Sequence, residues 1–518
     1  MSETEEEFQP AGLLRSSAFP HPISGLRLRE TNLAWVILTG QYAYKIKKSV
    51  TLSFVDQSTL HRRKALCEEE LRLNRRLASD LYEGVVPITR DADGLRVAGR
   101  GPTVEYAVKM KQFEASQELS ALLARGAVDA SELQALAMRL ADFHQSGQQA
   151  PRAAELQAAQ QVHDAVLGNL ATLLCHLDSE THLPDLGALV DWIHDFLHDY
   201  QPLLGTREQA GHVRECHGDL HAGNIVRWGG ELVPFDSLEF DPALRWIDVM
   251  SDVAFLFMDL ISHRRRDLAF DFLNAYLARG GDYDGVRLLR FYSIYRALVR
   301  AMVDELAAED QSELRGEYLA RCRGRLKTAL ALLPAQPPCL IIMHGLSGSG
   351  KSTIGARLAQ ELGAVLIRSD VERKRLQRRT GANQIHTAQF NEFTYTHLYS
   401  CAEACLLGGM SVIVDAAFLE AHHRDLFRNL AQRHGTPFLI VCCRANVPVL
   451  KARIADRQKL GVDPSDADLG VLRRQIETFD PLTEAETPFL VEVDTVSNNA
   501  VPETLARIRS MIDTRAAA

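Results

Sequence analysis

The run Gly345-Leu346-Ser347-Gly348-Ser349-Gly350-Lys351-Ser352 follows an apolar segment at 339–344 and opens a helical pattern that continues through Thr353. Glycines at this density let backbone N–H groups close around phosphate oxygens. Lys351 supplies a mobile cation for β- and γ-phosphates, Ser352 offers a hydroxyl to Mg²⁺, and the helix points its positive end at the same anion. The chemistry is the handling of ATP. Its expected contacts are Gly345, Ser347, Gly348, Ser349, Gly350, Lys351, Ser352 and Thr353. Beyond the next apolar segment stand Asp370 and Arg373. Parallel sheets place ligands at the carboxyl ends of their strands. Asp370 is therefore placed to accept a proton from a substrate hydroxyl and Arg373 to hold an anionic substrate group; the competing reading is a helix-capping Asp with a surface Arg. Ser411-Val412-Ile413-Val414-Asp415 is an apolar strand ending in an acid, the arrangement that orders Mg²⁺ or its water. Arg453 and Arg457, four apart on one helix face, form either a lid over the transferring phosphoryl group or a plain solvated face.

Together, the loop, Ser369-Asp370 with Arg373, Val414-Asp415 and the Arg453/Arg457 pair resemble P-loop kinases of the zeta-toxin, chloramphenicol phosphotransferase and polynucleotide kinase group. The resemblance covers about 338–494 and implies Asp370 as base and the arginine pair as lid. Asp463-Pro464-Ser465-Asp466-Ala467-Asp468 is similar to a segment of bacterial kinases of this type, with no mechanical role assigned.

A second constellation lies upstream. His217-Gly218-Asp219-Leu220-His221-Ala222-Gly223-Asn224 resembles the catalytic loop of aminoglycoside phosphotransferases and choline-kinase-like enzymes. That resemblance implies that Asp219 orients or deprotonates the acceptor hydroxyl, that Asn224 holds Mg²⁺, and that His217 braces the loop. Leu232-Val233-Pro234-Phe235-Asp236 then puts Asp236 where the family has its metal-binding acid. The glycine that protein kinases carry after the Phe-flanked acid is absent, which fits the small-molecule branch and leaves Glu239 open as a further metal or water ligand. Lys45, in an alternating strand pattern, is the expected partner of the α- and β-phosphates, with Lys47 on the same face as the second choice. Glu70 is the expected helical partner of that lysine, preferred to Glu69 because it keeps register with Leu73 and Leu77. Residues 109–113 are expected to form the adenine-binding hinge. Asp241, Arg245, Asp248 and Asp252 are expected as structural ion pairs behind the loop.

The positioning elements divide the chain in two. At 518 residues a single core is improbable on size grounds. Three prolines at 334–338 end one helix and stiffen a connector, predicting two self-contained cores. After it, apolar strands near 339–344, 365–367, 411–414, 438–443 and 489–493 alternate with helices, the signature of a parallel α/β sheet. Before it, strands near 33–46 and 104–110 flank a helix near 62–79. The chain after 117 is almost entirely helical except at 213–235. The expected organisation is an acidic flexible N-terminus at 1–20 and a bilobal, eukaryotic-like kinase fold at 21–333, with a small lobe to about 113 and a helical lobe after it. A linker at 334–338 and a P-loop domain at 339–518 complete it.

With 46% hydrophobic and 24% charged residues the composition is that of a globular protein. No apolar run is long enough to span a bilayer, and the acidic start has no hydrophobic segment behind it, so a cytoplasmic location without membrane contact is expected. Nine cysteines without zinc or C-x-x-C spacing point to free thiols. The net charge of −9 is concentrated before residue 334, which argues against a nucleic-acid surface there and leaves the near-neutral remainder open. The expected function is a bifunctional ATP-dependent kinase, with Mg²⁺, acting on small-molecule hydroxyl acceptors. Two alternatives remain: a nucleic-acid 5′-hydroxyl kinase in the C-terminal half, and a regulatory or toxin-like ATPase in which one half controls the other. Against the first, 373–379 is the one basic cluster and no aromatic stacking platform accompanies it.

Overall fold

The computed structural model describes residues 8–52, 55–149, 158–176, 186–310, 312–381, 387–460 and 467–516. The chain forms two compact units. One comprises 1–132, 146–162 and 202–252; the other comprises 133–145, 163–201 and 253–518. The second unit runs across the 334–338 connector.

In the first unit a six-stranded antiparallel sheet has the order Arg27–Glu30, Ala34–Leu38, Tyr42–Lys47, Thr103–Lys111, Tyr82–Asp91, Gly94–Val97. The strand-like span at 33–46 is a hairpin, turned at Thr39 and Gly40, where Gly40 adopts φ +93°. The long strand Tyr82–Asp91 carries Gly84 and Pro87, which weaken a strand pattern and concealed it from the sequence reading. The helix Leu60–Ala78 packs on the inner strands through Cys67 and Ala78. A hairpin of Ile225–Trp228 and Glu231–Pro234 carries the loop residues before it and Asp236 after it.

One expectation is corrected here. Residues 8–20 are not a flexible tail: Leu13 and Phe19 are buried in the core of the six-stranded sheet, and Arg15 donates to the Leu95 carbonyl at 3.0 Å. Apolar residues spaced among prolines and serines gave no periodicity by which to see this. The acidic residues at 1–7 lie outside the described residues.

The second unit holds a five-stranded parallel sheet in the order Val365–Arg368, Val412–Asp415, Leu340–His344, Phe438–Arg444, Leu490–Asp494. Its central strands are apolar up to their last residue because helices cover both faces. The helix Lys351–Leu362 packs on one face with Ala500–Ala516, and Ala388–Leu407 and Ala421–Arg433 pack on strands of the same sheet. The helices Arg266–Gly280 and Val286–Asp310 also belong to this unit and pack on Lys351–Leu362, Val365–Arg368 and Ala388–Leu407. All nine cysteines are free, and Cys175 alone is exposed. Among the described residues no helix is long and apolar enough to cross a membrane.

Candidate active sites

The first strand of the parallel sheet ends at His344 and turns directly into the glycine-rich loop. Gly348 shows why the residue type is needed: its φ is +81°, and a Cβ there would stand 2.7 Å from the Leu450 carbonyl oxygen. Gly350 caps the helix that begins at Lys351. The Lys351 ammonium is folded back on the loop, donating to the carbonyls of Gly345 at 2.8 Å and Leu346 at 2.9 Å. Burial lowers its pKa, opposed by the Asp415 carboxylate. Asp415 itself is buried at the end of its strand. Burial raises its pKa, and the Ser352 hydroxyl, Lys351 and Arg368 oppose that rise.

Lys351, Ser352, Asp370, Arg373, Asp415, Arg453 and Arg457 all line one cavity of about 1090 Å³. Asp370 is the second residue of the helix Ser369–Thr380, whose cap position is Arg368 with no side-chain cap, so the capping alternative does not describe it. No hydrogen bond ties its carboxylate among the described residues. Arg373 donates to Asn391 Oδ1 at 2.9 Å. Arg453 is held by Thr495 at 2.9 Å, and Arg457 donates to the Ala467 carbonyl at 2.6 Å. They are half-buried, facing the cavity, and not a solvated face. The Arg457 Nε and Ser349 Oγ atoms are buried without a hydrogen-bond partner. Unpaired buried donors cost about 1–3 kcal/mol each. Arg457 lines the cavity, where an anion could meet its donor; Gly345 and Ser349, expected as nucleotide contacts, are not among the lining residues. The same cavity is lined by Lys374, Arg474, Gln475 and Asp480, which the sequence reading missed. The Arg473-Arg474 doublet was the available signal. Of the segment 463–468, residues up to 466 lie outside the described residues.

The other centre is built in the first unit. Lys45 Nζ contacts Asp236 Oδ1 and lies 3.0 Å from Glu70 Oε1. Lys47, two residues on and facing the same way, pairs with Glu70 and with Glu239. The structure thus brings Glu70, not Glu69, to Lys45; Glu69 is taken by Arg72 and Arg245. Glu239 pairs with Lys47 through Oε1. Asp236 adopts φ +63°, a left-handed backbone that costs a non-glycine residue energy and is typical of functional positions. Asn224 donates to Asp219 Oδ2 at 2.8 Å, and His221 Nε2 lies 3.5 Å from the same oxygen. Behind the loop, Asp252 accepts from the backbone N–H groups of His217 and Gly218, both at 3.0 Å. Asp248 pairs with buried Arg207, and Arg245 with Glu69 and Glu215. Asp241 instead caps a short turn through the Ala243 N–H. Two ammonium groups face three carboxyl groups here.

Over 454 residues the chain is 31% identical to the uncharacterized protein Rv2004c of Mycobacterium tuberculosis (strain ATCC 25618 / H37Rv), a match spanning 84% of this chain and 88% of that one. The uncharacterized protein Mb2027c of Mycobacterium bovis matches to the same extent. The chain belongs to their family. Within this family member, residues 340–482 match the family described as AAA domain, which takes in the P-loop, Asp370, Asp415, Arg453 and Arg457. Among solved structures, a gluconokinase from Sinorhizobium meliloti 1021 is 23% identical over 35% of this chain and 96% of its own, with a TM-score of 0.27. A choline/ethanolamine kinase family protein from Mesorhizobium loti is 14% identical over 61% of this chain and 89% of its own, with a TM-score of 0.37.

The buried ion cluster of this family member makes a stability prediction. Burial raises the Glu70 pKa, but Lys45 and Lys47 outweigh it and lower it to about 2. Glu239 shifts the other way, because burial and the neighbouring Glu70 outweigh its single direct cation. Replacing Glu70 by Ala leaves two buried ammonium groups short of a partner and is expected to cost about 3–5 kcal/mol in denaturant unfolding. A carboxylate with a depressed pKa contributes stability above its ordinary value of 4.5, lost as pH falls towards 2. The difference between wild type and Glu70→Gln should therefore shrink below pH 4.5. A pH-independent difference would contradict the assignment.

Proposed function

We propose that the chain is a cytoplasmic, Mg²⁺-dependent ATP phosphotransferase with two centres, each transferring a γ-phosphoryl group to the hydroxyl of a small molecule. The observation that carries the reading is the single cavity into which the P-loop, Asp370, Arg373, Asp415 and the Arg453/Arg457 pair all open. In that centre loop N–H groups and Lys351 bind the phosphates. Asp370 takes the proton from the acceptor hydroxyl as its oxygen bonds phosphorus, and ADP leaves with the electrons of the broken P–O bond. Arg453 and Arg457 stabilise charge on the phosphoryl oxygens, and Arg373 orients the acceptor. Bound Mg²⁺ neutralises phosphate charge, with Ser352 and Asp415 as the residues that would hold it.

The first unit is read as part of a bilobal kinase of the aminoglycoside-phosphotransferase type. There Lys45, fixed by Glu70, binds phosphates, Asp219 handles the acceptor proton, and Asn224 and Asp236 would hold Mg²⁺. Two centres require two nucleotides. Equilibrium binding of Mg-ATP to the full chain should saturate at two per chain, and Lys351→Ala should leave one. Saturation at one, abolished by Lys351→Ala, would remove the first unit from the account.

A further inference from the structure

The strand Val365–Arg368 lies at the edge of the parallel sheet, and its continuation is the helix that carries Asp370 and Arg373. An edge strand leaves backbone donors and acceptors unpaired. Here a side chain meets them. Asn274, on the helix Arg266–Gly280, accepts from the Leu366 N–H at 2.8 Å and donates to the Ala364 carbonyl at 3.1 Å. One amide thus stands in for a neighbouring strand.

The helix itself is tied down on its far side. Glu372 is wholly buried and accepts from the Tyr283 hydroxyl at 3.1 Å, from Arg375 at 2.9 Å and from His397 at 3.0 Å. Burial raises its pKa, but His397 and Arg375 bring it below the ordinary value, so the group stays a carboxylate. Arg375 also donates to the carbonyls of Leu277, Ala278 and Arg279 at 3.3, 2.6 and 3.0 Å. Those are the last carbonyls of the Asn274 helix, where the helix dipole is negative and a guanidinium is favoured. None of the four residues Asn274, Tyr283, Glu372 and Arg375 lines the cavity. Glu372 nevertheless sits two residues after Asp370 and one before Arg373.

The geometry points to Asn274, Tyr283, Glu372 and Arg375 as positioning residues that set Asp370 and Arg373 against the acceptor. The acceptor side of the P-loop centre is then built in part on a helix and a loop residue that precede the proline connector. This rests on the reading of Asp370 as the base. A displacement of the order of 1 Å at a reacting group costs up to about 10² in rate. Loss of one anchor should therefore slow transfer without loosening ATP.

The test uses the full-length chain, γ-labelled ATP and a cell metabolite extract as acceptor source. It scores the labelled products that vanish in Lys351→Ala. Tyr283→Phe and Asn274→Ala are each expected to lower that labelling about tenfold or more, with Mg-ATP affinity within twofold of wild type. Asn274→Ala guards against a local folding defect peculiar to Tyr283→Phe. Wild-type labelling in both variants, with Asp370→Asn inactive, overturns the positioning role and leaves the base in place. Equal loss of ATP affinity and labelling also overturns it, since the contacts would then hold up the whole domain. Labelling that persists in Asp370→Asn sinks the base assignment instead.

Discussion

Asp370→Asn is expected to bind Mg-ATP as tightly as wild type and to lose transfer from the C-terminal centre by a factor on the order of 10² or more. The separation follows from position. Lys351 stands at the phosphate loop at the end of the central strand, whereas Asp370 stands past the edge strand, on the other side of Asp415. A group that touches only the acceptor hydroxyl changes the rate and not the nucleotide affinity. Lys351→Ala should damage both, because on the proposed reading its ammonium would meet phosphates that are charged before and during transfer. Alanine at Arg453 or Arg457 should lower rate more than affinity, since both are now held by protein carbonyls and hydroxyls and must turn to the phosphoryl group. Titrating ATP while measuring transfer separates the four variants. Loss of ATP binding in Asp370→Asn would move that carboxylate to the metal.

The second large effect belongs to the first unit. Asp219→Asn should lose about 10² to 10⁴ in transfer while ATP affinity stays within a few-fold. Asp236→Asn should weaken Mg-ATP itself, because it removes both the expected metal ligand and the partner of Lys45. In the structure Lys45 contacts Asp236 directly. Glu70 keeps a cation throughout, because Lys47 remains on its other oxygen. Unchanged turnover in both variants would identify a pseudokinase.

The P-loop strand, loop and helix were legible because a fully buried parallel strand reads as one apolar run and glycine spacing is local. Glu70 was legible against Glu69 because the helical register of Leu73 fixes which glutamate faces inward. The Tyr82–Asp91 strand was not, since Gly84 and Pro87 break the pattern that tertiary pairing with Thr103–Lys111 overrides. Nor was the burial of Leu13 and Phe19, which depends on a sheet formed by residues far along the chain. Asn274 and Tyr283 gave no signal either. Their partners lie about ninety residues away, and a single amide on an otherwise ordinary helix, or a single phenol in the turn after it, has no pattern to read. The proline connector suggested independent cores, yet the compact unit spans it.

The claim of two phosphotransferase centres is tested most directly by counting products. Full-length protein, γ-labelled ATP and a metabolite extract should yield at least two labelled compounds. Asp219→Asn should eliminate one set and Asp370→Asn the other, each leaving its counterpart intact. A single product abolished by either variant, or ATP turnover with no labelled acceptor, would contradict the account.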